Sequence, residues 1–293
     1  WLKIDESYWL NRWVYKKFIT IGEKAARYRM SGEAMPVSLR FFSWLGHQVL
    51  FRPLINQIGL LRLRRAYTGG AALGPELFTF YQAIGVNLKQ IYGQTEIVGI
   101  AYMHRVGDVR PDTVGKPLPE TECHISEEGE ILSRTPSVCV GYYKQPEKTE
   151  ELLGDGWMHS GDLATMDDNG YVNIIGRIKD MIIRGGENLY PREIEEFLYT
   201  HPLIADAQVI GVPDEKYGEE LMAWVQLAPD AQLTEDELRE FCRGKIAHFK
   251  VPRYIKFVSE FPMTVTGKIR KVEMREKSIA DLGLQAVAST ETA

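Results

Sequence analysis

A six-residue stretch, IYGQTE at residues 91–96, carries the side chains best suited to chemistry. Tyr92 offers a flat face for a base, Gly93 permits close approach of a backbone, and Thr95 offers a hydroxyl for phosphate. Glu96 supplies one carboxylate, which suits Mg²⁺ because this cation usually takes one or two protein carboxylates beside phosphates and waters. A turn that ends a strand, with Glu96 in solvent, predicts the same residues, and the stretch alone does not decide between the two.

Three further stretches add groups that suit phosphate or sugar. A turn at Gly69 and Gly70, between a predicted strand and a helix opened by Pro75, lets a flat ligand approach the backbone. Asp162 follows Ser-Gly and can accept both hydroxyls of a ribose, although an Asp that caps a turn would look the same. Lys268 follows a Thr-Gly turn, where it either serves as a point charge for phosphate or simply faces solvent.

A charged stretch at residues 176–191, GRIKDMIIRGGENLYP, is where we expect one folded unit to end and the next to begin. It combines charged residues with an apolar run and a Gly-Gly pair; an ordinary strand and turn is the alternative. A hairpin is predicted just before it, because Asn169-Gly170 is a strong hairpin signal. The returning strand is expected to bring Arg177 beside Asp162.

The elements around these stretches predict two kinds of architecture. Helices and short strands alternate up to residue 178, with an apolar helix predicted at 39–51 and short β segments at 113–143. After Pro191 a compact α+β pattern follows, in which Thr234 and Glu237 form a capping box. The last residues, from Gln285 to Ala293, are expected to be a frayed tail.

Aromatic and basic side chains alternate in residues 1–30. Trp9, Trp13 and residues 19–21 share one face of a predicted helix. One interpretation is a helix on an anionic membrane surface. The other, which we favour, is a helix that packs this face on the core and turns its basic side to solvent. No stretch approaches the ~20 apolar residues of a membrane span.

Composition sets the outer limits. The 293 residues are 44% hydrophobic, which is enough for a core and for more than one domain. A net charge of -5 gives no overall basic field and argues against a nucleic-acid partner. Cys123, Cys139 and Cys242 are widely spaced, which favours idle thiols in a reducing compartment over disulfides or a metal site.

Taken together, five motifs in chain order resemble those of the adenylate-forming superfamily, which holds acyl-CoA synthetases, luciferases and the adenylation domains of peptide synthetases. The motifs are TGGA at 68–71, YGQTE at 92–96, SGD at 160–162, GRIKD at 176–180 and PMTVTGK at 262–268. Gln94 and the basic, aromatic lead-in most resemble the long-chain fatty acid–CoA ligases.

The resemblance implies an α/β and α+β fold. Residues 1–178 would be the C-terminal portion of a large AMP-binding domain with a β-rich subdomain, and residues 179–293 a small mobile lid domain. The family carries an upstream phosphate loop that ends in Pro-Lys-Gly, and this sequence has nothing like it. We therefore expect the C-terminal half of a longer ligase, partnered by a missing N-terminal half, and it stays open whether this chain is active alone.

The resemblance also implies a reaction. A carboxylic acid, expected to be a long-chain fatty acid, would be activated by ATP to acyl-AMP and then transferred to CoA, with ATP, Mg²⁺ and CoA as cofactors. An enzyme that loads a carrier protein and an inactive half-enzyme stay open as alternatives. We expect a cytoplasmic location, with peripheral contact with the inner membrane face left open.

Each motif residue then receives an expected role. The expected catalytic residues are Lys268, Glu96 and Thr95, with Glu96 also holding Mg²⁺. The expected nucleotide-binding residues are Gly70, Ala71, Tyr92, Gly93, Gln94, Thr95, Asp162 and Arg177. Lys179 would be the hinge of the lid, and Gly185 and Gly186 would face the tunnel for CoA.

Overall fold

The computed structural model describes residues 9–70, 73–265 and 267–290. The chain divides into two compact units. The first holds the described residues up to Ser160 together with Ala164–Ile174, and the second holds Gly161–Leu163 and the described residues from Ile175 onward. The mixed α/β and α+β class expected from the sequence is confirmed. The domain boundary placed after Ile178 stays a prediction.

The first unit begins with helices. They are α1 (Trp9–Ser31), α2 (Val37–Gly46), a π-helical turn (His47–Phe51), α3 (Arg52–Gln57), α4 (Pro75–Ile84) and α5 (Pro146–Leu153). Proline stands in the first turn of both α4 and α5, where its missing N–H costs nothing. Helix α4 ends at Gly85, whose φ of 101° is the left-handed conformation of a helix C-terminus.

Helix α1 packs on the core through a different face from the one the sequence suggested. Trp9 is 72% exposed and Trp13 56% exposed, so the prediction that the tryptophans face the core is wrong. The buried residues of the helix include small ones at its contact with α4: a Cβ on Gly22 would lie 2.6 Å from the carbonyl oxygen of Ala83, and Ala25 is fully buried. Close approach to α4 therefore decides which face of α1 is covered.

Two sheets begin in the first unit. One contains β1 (Ala66–Thr68), β2 (Leu88–Tyr92), β3 (Tyr102–Met103) and β4 (Lys116–Pro117), in that order. Strands β1 and β2 are parallel, with Thr68 opposite Gln90, and the other pairs are antiparallel. The parallel pair places the carboxyl ends of β1 and β2 side by side, which is where open α/β sheets bind ligands.

The other sheet contains β5 (Glu122–Ile125), β6 (Glu130–Arg134), β7 (Met158–Met166) and β8 (Val172–Arg177), in that order. The predicted hairpin joins β7 to β8, with the Asp167 N–H bonded to the Tyr171 carbonyl at 3.0 Å and Gly170 at a φ of 80°. The division into units assigns residues 161–163 and 175–177 of these strands to the second unit.

The second unit is a five-stranded sheet with helices. Its elements are a 3₁₀ turn (Ile178–Asp180), β9 (Ile182–Arg184), β10 (Glu187–Leu189), α6 (Pro191–Leu198), β11 (Ile204–Asp214), β12 (Gly218–Leu227), α7 (Glu235–Cys242), a 3₁₀ turn (His248–Lys250), β13 (Tyr254–Phe257), α8 (Lys271–Leu282) and α9 (Gln285–Thr290). The strand order is β10-β9-β12-β11, with β13 parallel to β12. Strand β11 therefore lies at an edge.

Alternation along the strands builds a core on both faces of this sheet. Ala223 and Val225 of β12 join one core with Leu238 of α7, whereas Trp224 joins a second core with Met274 of α8. This period of two is the expected pattern for a strand covered on both sides. The capping box at the start of α7 is present as predicted.

The chain end differs from the expectation of a frayed tail. Residues Gln285–Thr290 form α9, so that prediction is wrong for them, and residues 291–293 lie outside the described part. Leu282 and Leu284 pack against the core that contains Met274, and so anchor the chain directly before α9. Among the described residues, no helix combines the length and the apolar character that crossing a bilayer requires.

Candidate nucleotide-binding and catalytic site

The two glycines of the turn after β1 have different surroundings. A Cβ on Gly69 would lie 2.6 Å from the Ile91 side chain, so this glycine is needed for packing on β2. Gly70 has a φ of 84°, and no atom of the described residues lies within 4 Å of an added Cβ, so none of them blocks a ligand from its backbone. Ala71, the other residue expected to meet adenine, lies outside the described residues.

Tyr92 and Gln94 are tied together at the carboxyl end of β2. The Gln94 side-chain amide donates to the Ser160 carbonyl at 2.8 Å and to the Tyr92 hydroxyl at 3.3 Å. The ring of Tyr92 packs on that of Tyr102 with centroids 5.6 Å apart. The tyrosine ring is thus held in place before any ligand arrives.

Gly93 has a structural reason that the sequence did not reveal. An added Cβ would lie 2.2 Å from the carbonyl oxygen of Gly99, because the turn at residues 97–100 folds back onto β2. The chain itself occupies the space that a side chain would need. Its expected contact with a nucleotide stays a prediction.

Glu96 is held by a segment that lies more than forty residues further along the chain. The Tyr142 hydroxyl donates to Oε1 of Glu96 at 2.6 Å, and the Cys139 N–H donates to the Glu96 carbonyl at 2.7 Å. The hydrogen bond to the carboxylate raises the pKa of Tyr142 to about 12. Thr95 beside it is exposed in a 3₁₀ turn. Nothing local in the sequence indicated Tyr142.

The surroundings of Glu96 fit a magnesium–nucleotide complex better than a protein-only metal site. The Tyr142 hydroxyl donates to Oε1 of Glu96, and within the described ranges no hydrogen bond to Oε2 is seen. In the described part of the chain, no three His, Cys, Asp or Glu side chains gather in a way that would hold a metal. A single carboxylate suits Mg²⁺ when phosphates and waters complete its six ligands.

Asp162 and Arg177 meet in the second unit, where the β7–β8 hairpin brings them together as expected. The Arg177 Nε lies 3.2 Å from Oδ1 of Asp162. The aspartate side chain is 8% exposed, whereas the arginine side chain is 63% exposed. A buried carboxylate with an exposed cationic partner can accept hydrogen bonds from hydroxyl donors.

The expected hinge and tunnel residues lie close together in sequence. Lys179 is exposed in a single 3₁₀ turn, with extended backbone at Arg177 before it and Met181 after it. Gly185 and Gly186, at φ 59° and 88°, form the two-residue turn between β9 and β10. Two positive φ values in a two-residue hairpin are the reason for glycine there. Their roles with CoA stay predictions.

Lys268 lies on a loop that we name the lysine loop, residues 263–269, of which Thr266 lies outside the described residues. Met263 and Ile269 form an isolated bridge at its base. The Thr264 N–H donates to the Lys268 carbonyl at 2.7 Å, and the Lys268 N–H donates to the Thr264 hydroxyl at 3.0 Å. The backbone of Lys268 is therefore held by two hydrogen bonds, whereas the residue itself is exposed to solvent.

The site residues therefore fall into two sets. The first unit holds Gly70, Tyr92, Gly93, Gln94, Thr95 and Glu96, and the second unit holds Asp162, Arg177, Lys179, Gly185, Gly186 and Lys268. Within each set the structure adds a polar partner that the sequence analysis missed: Tyr142 for Glu96 and Thr264 for Lys268.

Comparison with known proteins gives two family matches. Residues 23–143 match the family model described as AMP-binding enzyme, and residues 193–268 match the one described as AMP-binding enzyme C-terminal domain. YngI of Bacillus subtilis, named an acyl-CoA synthetase, is 47% identical over 254 residues, which covers 81% of this chain and 46% of that protein.

One further curated protein and one solved structure are also similar to this chain. The mitochondrial medium-chain acyl-CoA ligase ACSF2 of Bos taurus is 40% identical over 256 residues, or 80% of this chain and 41% of that protein. The structure of ATP-bound MatB from Rhodopseudomonas palustris matches with a TM-score of 0.68 and 32% identity, over 72% of this chain and 44% of that one. The chain thus spans less than half the length of these relatives.

Proposed function

Because the chain belongs to the adenylate-forming superfamily of AMP-binding enzymes, we propose that it serves an ATP-dependent acid–thiol ligase that makes acyl-AMP and then acyl-CoA. The observation that carries the proposal is the parallel pairing of β1 and β2. It brings the open Gly70 turn and the Tyr92–Glu96 segment to the same edge of one sheet, where a nucleotide would find a ring, a hydroxyl and a carboxylate.

In the first half-reaction a carboxylate attacks the α-phosphorus of ATP and pyrophosphate leaves. One anion approaches another, so charge neutralisation and alignment matter more than covalent chemistry. We assign Lys268 to the α-phosphate and the attacking carboxylate oxygen, and Thr95 to the α-phosphate. Mg²⁺ held by Glu96 and the phosphates would supply further positive charge. Asp162 accepts the ribose hydroxyls, with Arg177 beside it.

In the second half-reaction the CoA thiol attacks the acyl carbon and AMP leaves. The thiol cannot take the place that Lys268 occupies, so the lid must turn between the steps. We propose that the turn occurs at Lys179, whose exposed single-turn setting allows a change in backbone angles. The Gly185–Gly186 turn would then face the pantetheine arm.

The acid is proposed to be a fatty acid. A fatty acid fits the relatives, of which ACSF2 is named a medium-chain ligase, and the long-chain preference stays a prediction. We also keep as predictions a cytoplasmic location, peripheral contact with the inner membrane face, and a missing N-terminal half that supplies the phosphate loop.

The experiment supplies a series of acids from hexanoate to stearate, with ATP and CoA, and measures AMP and acyl-CoA. A parallel assay supplies the acyl-adenylates, which do not need a triphosphate cradle. Formation of acyl-CoA from acyl-AMP supports the proposal. Transfer to a carrier protein but not to CoA would favour the alternative activating enzyme, and no transfer to either thiol would favour an inactive half-enzyme.

A further inference from the structure

Only Arg270 separates the lysine loop from helix α8, and we propose that the first residue of this helix, Lys271, is the positioning residue for Lys268. The inference rests on the proposed function, in which Lys268 meets the α-phosphate. Lys271 itself is 20% exposed in its side chain and is turned into the protein. It therefore acts through the backbone of the loop and has no contact with the substrate.

The loop is short, so its two ends decide where Lys268 stands. The Arg270 N–H donates to the Pro262 carbonyl at 2.9 Å, and the Thr264 N–H donates to the Lys268 carbonyl at 2.7 Å. These two bonds form the neck of the loop. Any movement of the start of α8 is passed directly to Arg270 and so to the neck.

Helix α8 has a weak start of its own. The residue before its first turn, Arg270, makes no side-chain capping bond in the part of the chain that the structure describes. A helix without such a cap leaves the N–H groups of its first turn without side-chain partners, and its end frays more readily. Something else must hold this end if Lys268 is to keep one position.

The side chain of Lys271 supplies that hold. Its Nζ donates to Oε1 of Glu195 at 2.7 Å and to the Val209 carbonyl at 3.1 Å. The same Glu195 oxygen accepts the Val209 N–H at 2.8 Å. Because β11 is an edge strand, its outward N–H and C=O groups need partners, and this ion pair provides both at Val209. Glu195 is only 9% exposed, so the pair is shielded from water.

The next turn of α8 repeats the contact and gives a matched control. Arg275 donates to the carbonyl of Gly211 at 2.7 Å, two residues further along the same edge strand. Lys271 and Arg275 thus both bind outward carbonyls of β11, but Lys271 lies two residues after the end of the lysine loop and Arg275 lies six residues after it. A role confined to covering the edge strand would make the two residues equivalent.

The test compares Lys271→Met with Arg275→Met by amide hydrogen exchange of the whole chain. Lys271→Met is expected to speed exchange at the Thr264 and Arg270 amides at least tenfold while the amides of β12 keep their rates. Arg275→Met is expected to leave the neck amides unchanged. Equal effects of the two variants, acceleration across all amides together, or no change at the neck would overturn the inference.

Two additions keep the test decisive. If Lys271→Met does not fold, the double variant Glu195→Gln with Lys271→Met removes both charges and leaves no unpaired carboxylate; its neck amides are expected to exchange at least tenfold faster. AMP binding, measured on the same samples, tests the proposed function separately. Faster exchange at the neck amides with intact AMP binding supports both the positioning role of Lys271 and the proposed function. Faster exchange at the neck amides with no AMP binding by any variant contradicts the proposed function and leaves the positioning role of Lys271 supported.

Discussion

Replacing Lys268 by alanine should separate catalysis from stability. No ion pair or side-chain hydrogen bond of its ammonium group is seen in the described part of the chain, and its backbone is held by Thr264 instead. The free energy of unfolding should therefore change by less than about 0.5 kcal/mol, as for an exposed side chain without partners. The activation free energy of adenylation should rise by about 2.7–4 kcal/mol, the cost of removing one preorganised donor to a developing charge.

The two half-reactions provide the assay. Pyrophosphate release from ATP and acid reports the first step, and thioester formation from supplied acyl-AMP reports the second. Lys268→Ala should slow the first by ~10²–10³ and leave the second within about twofold. Lys277→Ala is the control, because this lysine lies on α8 and its exposed Nζ lies 2.9 Å from a carboxylate oxygen of Glu273. Equal loss in both half-reactions would refute the assignment of Lys268 to the first step.

Three further predictions concern separate parts of the chain. Tyr142→Phe removes the hydrogen bond to the Glu96 carboxylate and should raise several-fold the Mg²⁺ concentration that half-saturates adenylation. A hydrogen bond to a charged group contributes about 1.5–3 kcal/mol, and solvent screens part of that energy at this exposed site. Tyr143→Phe is the control: its side chain is 85% exposed, and the variant should leave this Mg²⁺ concentration unchanged. Thr234→Ala should lower the free energy of unfolding by about 1 kcal/mol in a denaturant titration, because it removes the cap of α7; no loss would contradict the cap. The hydrogen bond to Glu130, with a further one to Asp155, raises the pKa of His159. Stability from this contact is complete below the unfolded value of about 6.5 and is lost as pH rises through the higher folded pKa. Glu130→Gln should flatten that part of the stability profile, and an unchanged slope would contradict the contact.

Features encoded by neighbouring residues could be predicted from the sequence. The capping box of α7, the proline start of α4 and the hairpin at Asn169-Gly170 each depend on a few adjacent side chains, and each forms as expected. The meeting of Asp162 and Arg177 followed from that hairpin alone. Short-range signals therefore carried part of the site as well as part of the fold.

Features that depend on distant residues could not be predicted in this way. Tyr142 reaches Glu96 across 46 positions, and no periodicity or turn signal links them. The burial of α1 is decided by how closely its small residues approach α4, which a hydrophobic pattern does not report. The reason for Gly93 is likewise a distant turn, at Gly99, that folds onto β2.

The ribose-binding role of Asp162 offers the most direct test of the nucleotide site. Calorimetric titration of AMP into this chain and into Asp162→Ala measures the two dissociation constants. The variant loses the hydrogen bonds from the ribose hydroxyls to a carboxylate, each contributing about 1.5–3 kcal/mol, so the dissociation constant of AMP should rise at least tenfold. The variant should stay folded, because the exposed Arg177 remains solvated without its partner. Equal affinity in the two proteins, or no AMP binding by the unaltered chain, would contradict the account.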